Sequence, residues 1–109
     1  MILRITLFQL RPDVSEYETR VLLATVGGAV KNIPGLLMFK VGRRVSREGA
    51  YRLGAAAADR QHPDYDYAAV FQFESRAALD EYLRHPAQAQ LRSRLEAVVL
   101  AATTSDYEV

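Results

Sequence analysis

The sequence predicts an α+β domain of the ferredoxin-like βαββαβ order, an antiparallel sheet with helices on one face. Two observations support this prediction. Short segments rich in branched and aromatic residues alternate with segments whose apolar residues recur at helical spacing. The chain has 109 residues, half of them hydrophobic and a quarter charged, which is the length and composition of one globular domain.

The first predicted strand runs from Ile2 to Leu10 and ends at Arg11-Pro12-Asp13. One of its faces carries Leu3, Ile5 and Leu7, and the other carries Arg4, Thr6, Phe8 and Leu10. A strand that is apolar on both faces is covered on both faces. We expect the chain's own helices to cover one face and a partner to cover the other.

A helix is predicted next, because Ser15 and Glu18 have the spacing of a capping box. Its apolar stripe consists of Leu22, Val26, Ala29, Val30 and Ile33. Gly27-Gly28 lies inside this helix, where each glycine costs about 1 kcal/mol relative to alanine. We expect these glycines to reflect either tight packing of the helix on the sheet or room for a ligand. Pro34-Gly35 ends the helix.

Two further strands follow, separated by a long connection at about residues 46–64. The second strand, Leu36 to Val45, is predicted to place Leu37, Phe39 and Val41 on one face and Leu36, Met38 and Lys40 on the other. The third strand, Tyr65 to Phe73, carries on one face Tyr65, Tyr67, Ala69, Phe71 and Phe73. A connection of this length is uncommon in a compact domain and suggests a lid, a short helical excursion or a mobile flap.

The last part of the chain is predicted to be helical and then extended. Ser75 is the predicted N-cap of a helix that continues through Leu79, Tyr82 and Leu83. Pro86 either kinks this helix or begins another at its first position, and helical spacing continues through Leu91, Leu95 and Val98. A closing strand from Val99 to Val109 completes the βαββαβ order.

Composition argues against several classes of function. Fourteen basic and thirteen acidic side chains give a net charge of +1, so no overall field would attract nucleic acid or an anionic membrane. No apolar run approaches the ~20 residues that span a bilayer, and residues 1–10 do not have the pattern of a targeting segment. The chain has no cysteine, and the cytoplasm is its default compartment. Two histidines and scattered carboxylates match no metal-ligand spacing, and we expect no cofactor.

A series of short motifs, taken in chain order, resembles one known family. These motifs are Arg4-Ile5-Thr6-Leu7-Phe8-Gln9-Leu10-Arg11-Pro12, Ile33-Pro34-Gly35-Leu36, Val41-Gly42, Phe73-Glu74-Ser75, Tyr82-Leu83-Arg84-His85-Pro86-Ala87 and Asp106-Tyr107. Together they are similar to the stress-responsive dimeric α/β-barrel (Dabb) family over almost the whole chain, apart from about residues 47–64. The resemblance implies a homodimer in which two sheets face each other as one barrel, with a pocket between each sheet and its helices.

The resemblance also implies a site. A plant member of the family, olivetolic acid cyclase, closes a linear polyketide by aldol condensation without a cofactor. A tyrosine and a histidine act together there; Tyr82 matches the tyrosine, and Gln88 stands at the position of the histidine. Two further pocket histidines correspond to Arg4 and Tyr67. Only the tyrosine is retained, and glutamine cannot take up a proton near neutral pH.

The candidate catalytic residues are therefore Tyr82, His85 and Arg4, and the candidate substrate-binding residues are Tyr67, Gln88, Phe8 and Phe71. Arg4 lies on an otherwise apolar strand face and must find an anion, either a ligand oxygen in the pocket or an acid such as Asp106, unless it is exposed at the strand end. Tyr67 and Tyr82 would place two hydrogen-bond-donating phenols in one cavity, or they are ordinary core aromatics.

The two histidines have weaker assignments. His85 precedes Pro86 at the helix break, where it would orient the turn or transfer a proton. His62 lies in the long connection, where it would be solvated or close over the pocket as a lid residue.

Three functions are compatible with these residues. The first is a homodimer that binds a hydrophobic, oxygen-rich molecule such as a polyketide or phenolic intermediate, with polyketide-cyclase-like catalysis as an extension. The second is a non-catalytic stress-response dimer, and the third is a cofactor-free monooxygenase. A cavity of roughly 300 Å³ or more that touches Arg4, Tyr67 and Tyr82 would favour ligand binding over an inert core.

Overall fold

A computed structural model describes residues 1–45, 53 and 65–109 of the chain. These residues form the strands β1 (Ile2–Leu10), β2 (Leu36–Arg43), β3 (Tyr67–Phe73) and β4 (Val99–Glu108), and the helices α1 (Glu16–Val30), α2 (Arg76–Arg84) and α3 (Pro86–Val98). The fold is ferredoxin-like, as the sequence predicts. Most of the predicted connection at about residues 46–64, with His62, lies outside the described residues.

The four strands form one antiparallel sheet in the order β2-β3-β1-β4. The first strand of the chain is therefore central, and it pairs with β3 on one side and β4 on the other. This register places Arg4 directly opposite Phe71 on β3 and Asp106 on β4. Residues far apart in the chain thus come together around β1.

The helices pack on one face of the sheet and bury a single apolar core. Its buried members are Ile2, Phe8, Leu22, Val26, Val30, Ile33, Tyr67, Ala69, Phe71, Phe73, Ala78, Leu79, Tyr82 and Leu91. Leu3, Ile5 and Leu7 point away from this core and stay half-buried, so the predicted alternation of β1 is confirmed. No element in the described part of the chain covers this outer face of the sheet.

The predicted helix starts are confirmed by their hydrogen bonds. The Glu18 backbone N–H donates to Ser15 Oγ at 3.0 Å, and the Ser15 N–H donates to Glu18 Oε1 at 3.4 Å, which closes the capping box. Ser75 Oγ accepts from the Ala78 N–H at 3.1 Å at the start of α2. Pro86 begins the separate helix α3 rather than kinking α2, so the open alternative at this proline is settled.

The predicted faces of β2 are wrong at its first two residues. The pairing of β2 with β3 shifts between Leu36 and Met38, and this irregularity changes the side that each residue faces. Leu36 consequently packs against the core, whereas Leu37 is 57% exposed. The strand β2 is also shorter than predicted, because it ends at Arg43 instead of Val45.

None of the helices in the described part of the chain is long and apolar enough to cross a membrane. The three helices have 15, 9 and 13 residues, and a span needs about 20.

Tight packing does not explain the glycine pair in α1. A Cβ atom built on Gly27 or Gly28 would meet nothing within 4 Å. Gly35 differs, because its φ of 79° is left-handed and a Cβ there would lie 2.5 Å from the Cβ of Ala78. Of the two alternatives for Gly27-Gly28, tight packing is therefore wrong, room for a ligand stays a prediction, and a close contact is found instead at Gly35 in the turn after the helix.

We predict that Gly27→Ala and Gly28→Ala each stabilise the protein by about 0.5–1 kcal/mol, because alanine favours helix and the added methyl group meets open space. Urea unfolding of each variant measures the change. Gly35→Ala is the matched control and should destabilise the fold. Destabilisation by the two helical alanines would show that the backbone of α1 needs glycine there.

Candidate functional site

A cavity of about 520 Å³ opens between the sheet and the helices. The sheet forms the floor of the cavity, with Arg4, Thr6 and Phe8 of β1, Ala69 and Phe71 of β3, and Ala102, Thr104 and Asp106 of β4. The remaining lining residues are Leu23, Val26, Val41, Tyr82, Leu83, Gln88, Leu91, Arg92, Leu95, Glu96 and Val99. Side chains alternate between the faces of a strand, so every second residue of β1 reaches this space. The volume lies within the range of small-molecule sites.

Small side chains on the floor keep the cavity open. Ala69 stands opposite Thr6 on β3, and Thr104 stands opposite Thr6 on β4. The Thr6 and Thr104 hydroxyl oxygens are 2.9 Å apart and hydrogen-bond each other. Because this part of the inner face holds an alanine and two threonines, the helices above it rest on larger neighbours and leave a space.

Arg4 is paired with an acid of its own chain. Its Nε donates to Asp106 Oδ1 at 2.8 Å and its Nη2 donates to Asp106 Oδ2 at 3.0 Å, a two-pronged ion pair between directly opposed residues of β1 and β4. The Arg4 side chain is 14% exposed and the Asp106 side chain 35%. Of the alternatives for Arg4, the structure therefore shows the pairing with Asp106, and both residues line the cavity.

Tyr82 is buried in an aromatic cluster beside the arginine. Its ring centroid lies 5.8 Å from that of Phe71 and 5.2 Å from that of Phe73, and the Arg4 guanidinium carbon is 6.0 Å from the Tyr82 ring centroid. Burial raises the pKa of the Tyr82 phenol above its ordinary value of 10.0, and the Arg4 charge opposes part of this rise. At neutral pH the phenol is therefore protonated and acts as a donor.

Tyr82 lines the cavity of about 520 Å³. Its hydroxyl makes no hydrogen bond with the residues that the structure describes, and within that part of the chain no buried side-chain polar atom is left without a partner. The hydroxyl is therefore not fully enclosed by the described residues. A ligand oxygen could accept its hydrogen bond.

The expectation that Tyr67 and Tyr82 share one cavity is wrong. Tyr67 lies at the other end of the sheet, where its hydroxyl accepts a hydrogen bond from Arg43 Nη2 at 3.1 Å and its ring stacks on Phe8 at 5.2 Å. It lines a second cavity of about 400 Å³ together with Arg43 and Glu16. Tyr67 and Phe71 share the inner face of β3 but lie four residues apart along the strand, roughly 13 Å, so Phe71 rather than Tyr67 lies beside Tyr82.

His85 connects two consecutive helices. It is the C-cap of α2 and the N-cap of α3, and its Nδ1 accepts a hydrogen bond from the Ala87 N–H at 3.0 Å. The ring does not line the larger cavity. Its position therefore agrees with the turn-orienting alternative, and a catalytic role for His85 stays a prediction.

The other proposed binding residues Gln88, Phe8 and Phe71 do line the larger cavity. Sequence reasoning missed Glu96 and Arg92, which form an exposed pair at 3.0 Å in the wall of the cavity. Their spacing of four residues on α3 was the available signal. Among the described residues, no group of three or more histidine or acidic side chains is placed to hold a metal ion.

The fold and the sequence together define the class of protein. The sequence matches the stress responsive A/B barrel domain over residues 2–109, and the chain belongs to this family. A search of curated proteins found no significant match.

Solved structures of other proteins share the fold at low sequence identity. A dimeric ferredoxin-like protein of unknown function from Thermobifida fusca is 17% identical, with a TM-score of 0.76 over 99% of this chain and 90% of that one. The hydroxynitrile lyase of Passiflora edulis is 17% identical, with a TM-score of 0.76 over 99% and 92%. A mutant form of SnoaB, a cofactor-independent oxygenase of Streptomyces nogalater, is 14% identical, with a TM-score of 0.71 over 99% and 91%. At these identities the likeness concerns the fold alone.

We predict that the raised pKa of Tyr82 makes the protein less stable above about pH 10. The unfolded chain then ionises this phenol while the folded chain keeps it neutral, so the stabilisation present below pH 10 is lost as the pH rises through the higher, folded-state pKa.

Urea unfolding from about pH 8 to about pH 11 tests this, with Tyr82→Phe as the control. The free energy of unfolding should fall more steeply for the wild type than for the variant above pH 10. Parallel curves would contradict a buried, neutral phenol.

Proposed function

We propose that this protein is a homodimer whose larger cavity binds a hydrophobic molecule carrying carbonyl or hydroxyl oxygens. The observation that carries the proposal is the cavity of about 520 Å³, which both Tyr82 and Arg4 line. It meets the size expected of a ligand site and brings a neutral donor and a paired arginine to a space lined mostly by apolar side chains. Side chains filling this region would instead have favoured an inert core.

The dimer is supported by the outer face of the sheet. Leu3, Ile5 and Leu7 form a row on β1, and Ile5 has Val70 beside it on β3. Within the described part of the chain nothing covers this row, and soluble proteins seldom expose a large contiguous apolar patch. The dimeric state of the similar Thermobifida protein agrees with a second copy as the cover.

Cofactor-free carbonyl chemistry of the polyketide-cyclase kind is the catalytic extension of this proposal. The protonated Tyr82 phenol would donate to a carbonyl oxygen and so stabilise the negative charge that develops there when an enolate forms. Such a reaction also needs a base, and among the described residues that line the cavity the carboxylates are Asp106 and Glu96. The non-catalytic stress-response dimer is the alternative in which this interior serves only as core.

The cofactor-free monooxygenase remains the second candidate reaction. It is supported by the fold shared with the cofactor-independent oxygenase of Streptomyces nogalater. Fold likeness alone does not transfer a reaction, so the residues in the cavity favour the carbonyl chemistry.

We predict that Ile5→Glu abolishes the dimer, either by separating two folded copies or by unfolding the chain, because it places a charge in the proposed interface. Light scattering at micromolar concentration should give the wild type twice the mass of one 12.2 kDa chain. Val21→Glu is the matched control, since Val21 is 47% exposed on α1, and it should stay dimeric.

Two outcomes would contradict the proposed interface. One is a wild-type particle with the mass of a single chain. The other is an Ile5→Glu variant that remains folded, by circular dichroism, and dimeric.

We predict that Tyr82→Phe weakens binding of an uncharged aromatic ketone such as 2-acetylnaphthalene. The lost hydrogen bond contributes roughly 0.5–1.5 kcal/mol, which corresponds to about a 2- to 13-fold rise in Kd. The ring and its packing are retained, so the melting temperature should change little, whereas Tyr82→Ala should also cost a few kcal/mol of stability, on the order expected for a buried ring.

Fluorescence titration gives Kd, and thermal unfolding shows whether the fold is retained. Wild-type affinity in Tyr82→Phe would assign Tyr82 to the core and make Arg4 the better candidate donor.

A further inference from the structure

We infer that the larger cavity selects uncharged ligands over carboxylates, because Asp106 already neutralises the arginine whose charge an anionic ligand would need. This inference rests on the proposed ligand-binding function and narrows its substrate class. The favoured ligands are neutral aromatic or polyketide-like molecules whose oxygens are carbonyls or hydroxyls. The structural basis is the Arg4–Asp106 ion pair in the cavity wall.

The pair neutralises the charge of Arg4 and occupies one of its two carboxylate-binding edges. The Nε and Nη2 donors form the side-on edge, and both donate to Asp106, at 2.8 and 3.0 Å. Arginine has five N–H donors, so the N–H groups of Nη1 and the second N–H of Nη2 are not used by these two bonds. These groups can still donate to a ligand oxygen, but they belong to a cation whose charge Asp106 already compensates. Arg4 therefore offers a bound carboxylate hydrogen bonds without a free countercharge.

The charges in the cavity wall cancel. Of the described residues that line the cavity, four are charged: Arg4 is paired with Asp106, and Arg92 is paired with Glu96 at 3.0 Å. A bound carboxylate would therefore bring an uncompensated negative charge into a space whose other lining side chains are uncharged and mostly apolar. It would lose its hydration there and lie near the Asp106 carboxylate.

A neutral oxygen has a suitable partner in the same wall. Tyr82 lines the cavity, and its hydroxyl is protonated at neutral pH. It can donate to a carbonyl without any change of charge in the site. The Tyr82 ring also faces the guanidinium at 6.0 Å, so the donor and the compensated cation lie next to each other. The wall is therefore polar enough to orient a ligand oxygen and electrically neutral.

A pair of ligands with nearly the same shape tests this inference on the full-length protein. 2-Acetylnaphthalene and 2-naphthoate differ in a methyl group replaced by a charged oxygen, and the naphthoate is ionised at about pH 7.5, well above the ordinary pKa range of carboxylic acids. We expect the Kd of the wild type for the carboxylate to be about tenfold higher than its Kd for the ketone, or higher still. Equal or tighter binding of the carboxylate would overturn the inference while leaving the ligand-binding function in place. Failure of both compounds to bind would overturn the proposed function itself.

A second comparison identifies the ion pair as the cause. Asp106→Asn frees the Arg4 edge and should raise the affinity for 2-naphthoate about tenfold or more, with little change for the ketone. Glu108→Gln is the matched control, because it removes the same charge from the same strand and breaks an exposed pair with Arg76 at 3.5 Å outside the cavity. An equal gain in both variants would show a general effect of charge and would overturn the inference.

The double variant Arg4→Gln/Asp106→Asn should lose the gain in naphthoate binding, because the freed guanidinium is gone. Retention of the gain would overturn the assignment to Arg4. Circular dichroism establishes that each variant is folded, and Asp106→Ser replaces Asp106→Asn if the asparagine variant does not fold. The wild-type preference between the two ligands decides the inference independently of every variant.

Discussion

The central position of β1 is the constraint on which the rest of the structure depends. This strand pairs on both sides, with β3 and with β4, and carries apolar residues on both faces. Its inner face must be buried by helices, which fixes where α1, α2 and α3 lie. Its outer face holds Leu3, Ile5 and Leu7, for which the described part of the chain offers no cover. The monomer fold and the proposed dimer thus follow from one strand.

Arg4 interrupts the inner face of that strand, and the structure accommodates it by local pairing. A cation that is 14% exposed needs a close partner, and the antiparallel register puts Asp106 directly opposite. The cation also lies over the ring of Tyr82. This one ion pair therefore neutralises the charge of the arginine, links β4 to β1 and leaves the neighbouring part of the cavity lining without net charge.

The same architecture carries different chemistry in different proteins. A hydroxynitrile lyase and a cofactor-independent oxygenase both superimpose on this fold at under 25% identity. The fold supplies a space between sheet and helices, while the side chains in its wall decide what that space binds. In this chain the wall offers a buried phenol, a paired arginine and Gln88, with no histidine among the described residues that line it.

The sequence by itself determined the order of the elements, the capping box at Ser15, the start of α3 at Pro86 and the two apolar faces of β1. These features depend on neighbours in the chain, through period, caps and proline geometry. Only the tertiary structure decided that Arg4 pairs with Asp106, that Tyr67 and Tyr82 line separate cavities and that Leu36 turns toward the core. Each of these depends on strand register, which joins residues as far apart in the chain as Ile2 and Glu108 and which one irregular pairing can reverse.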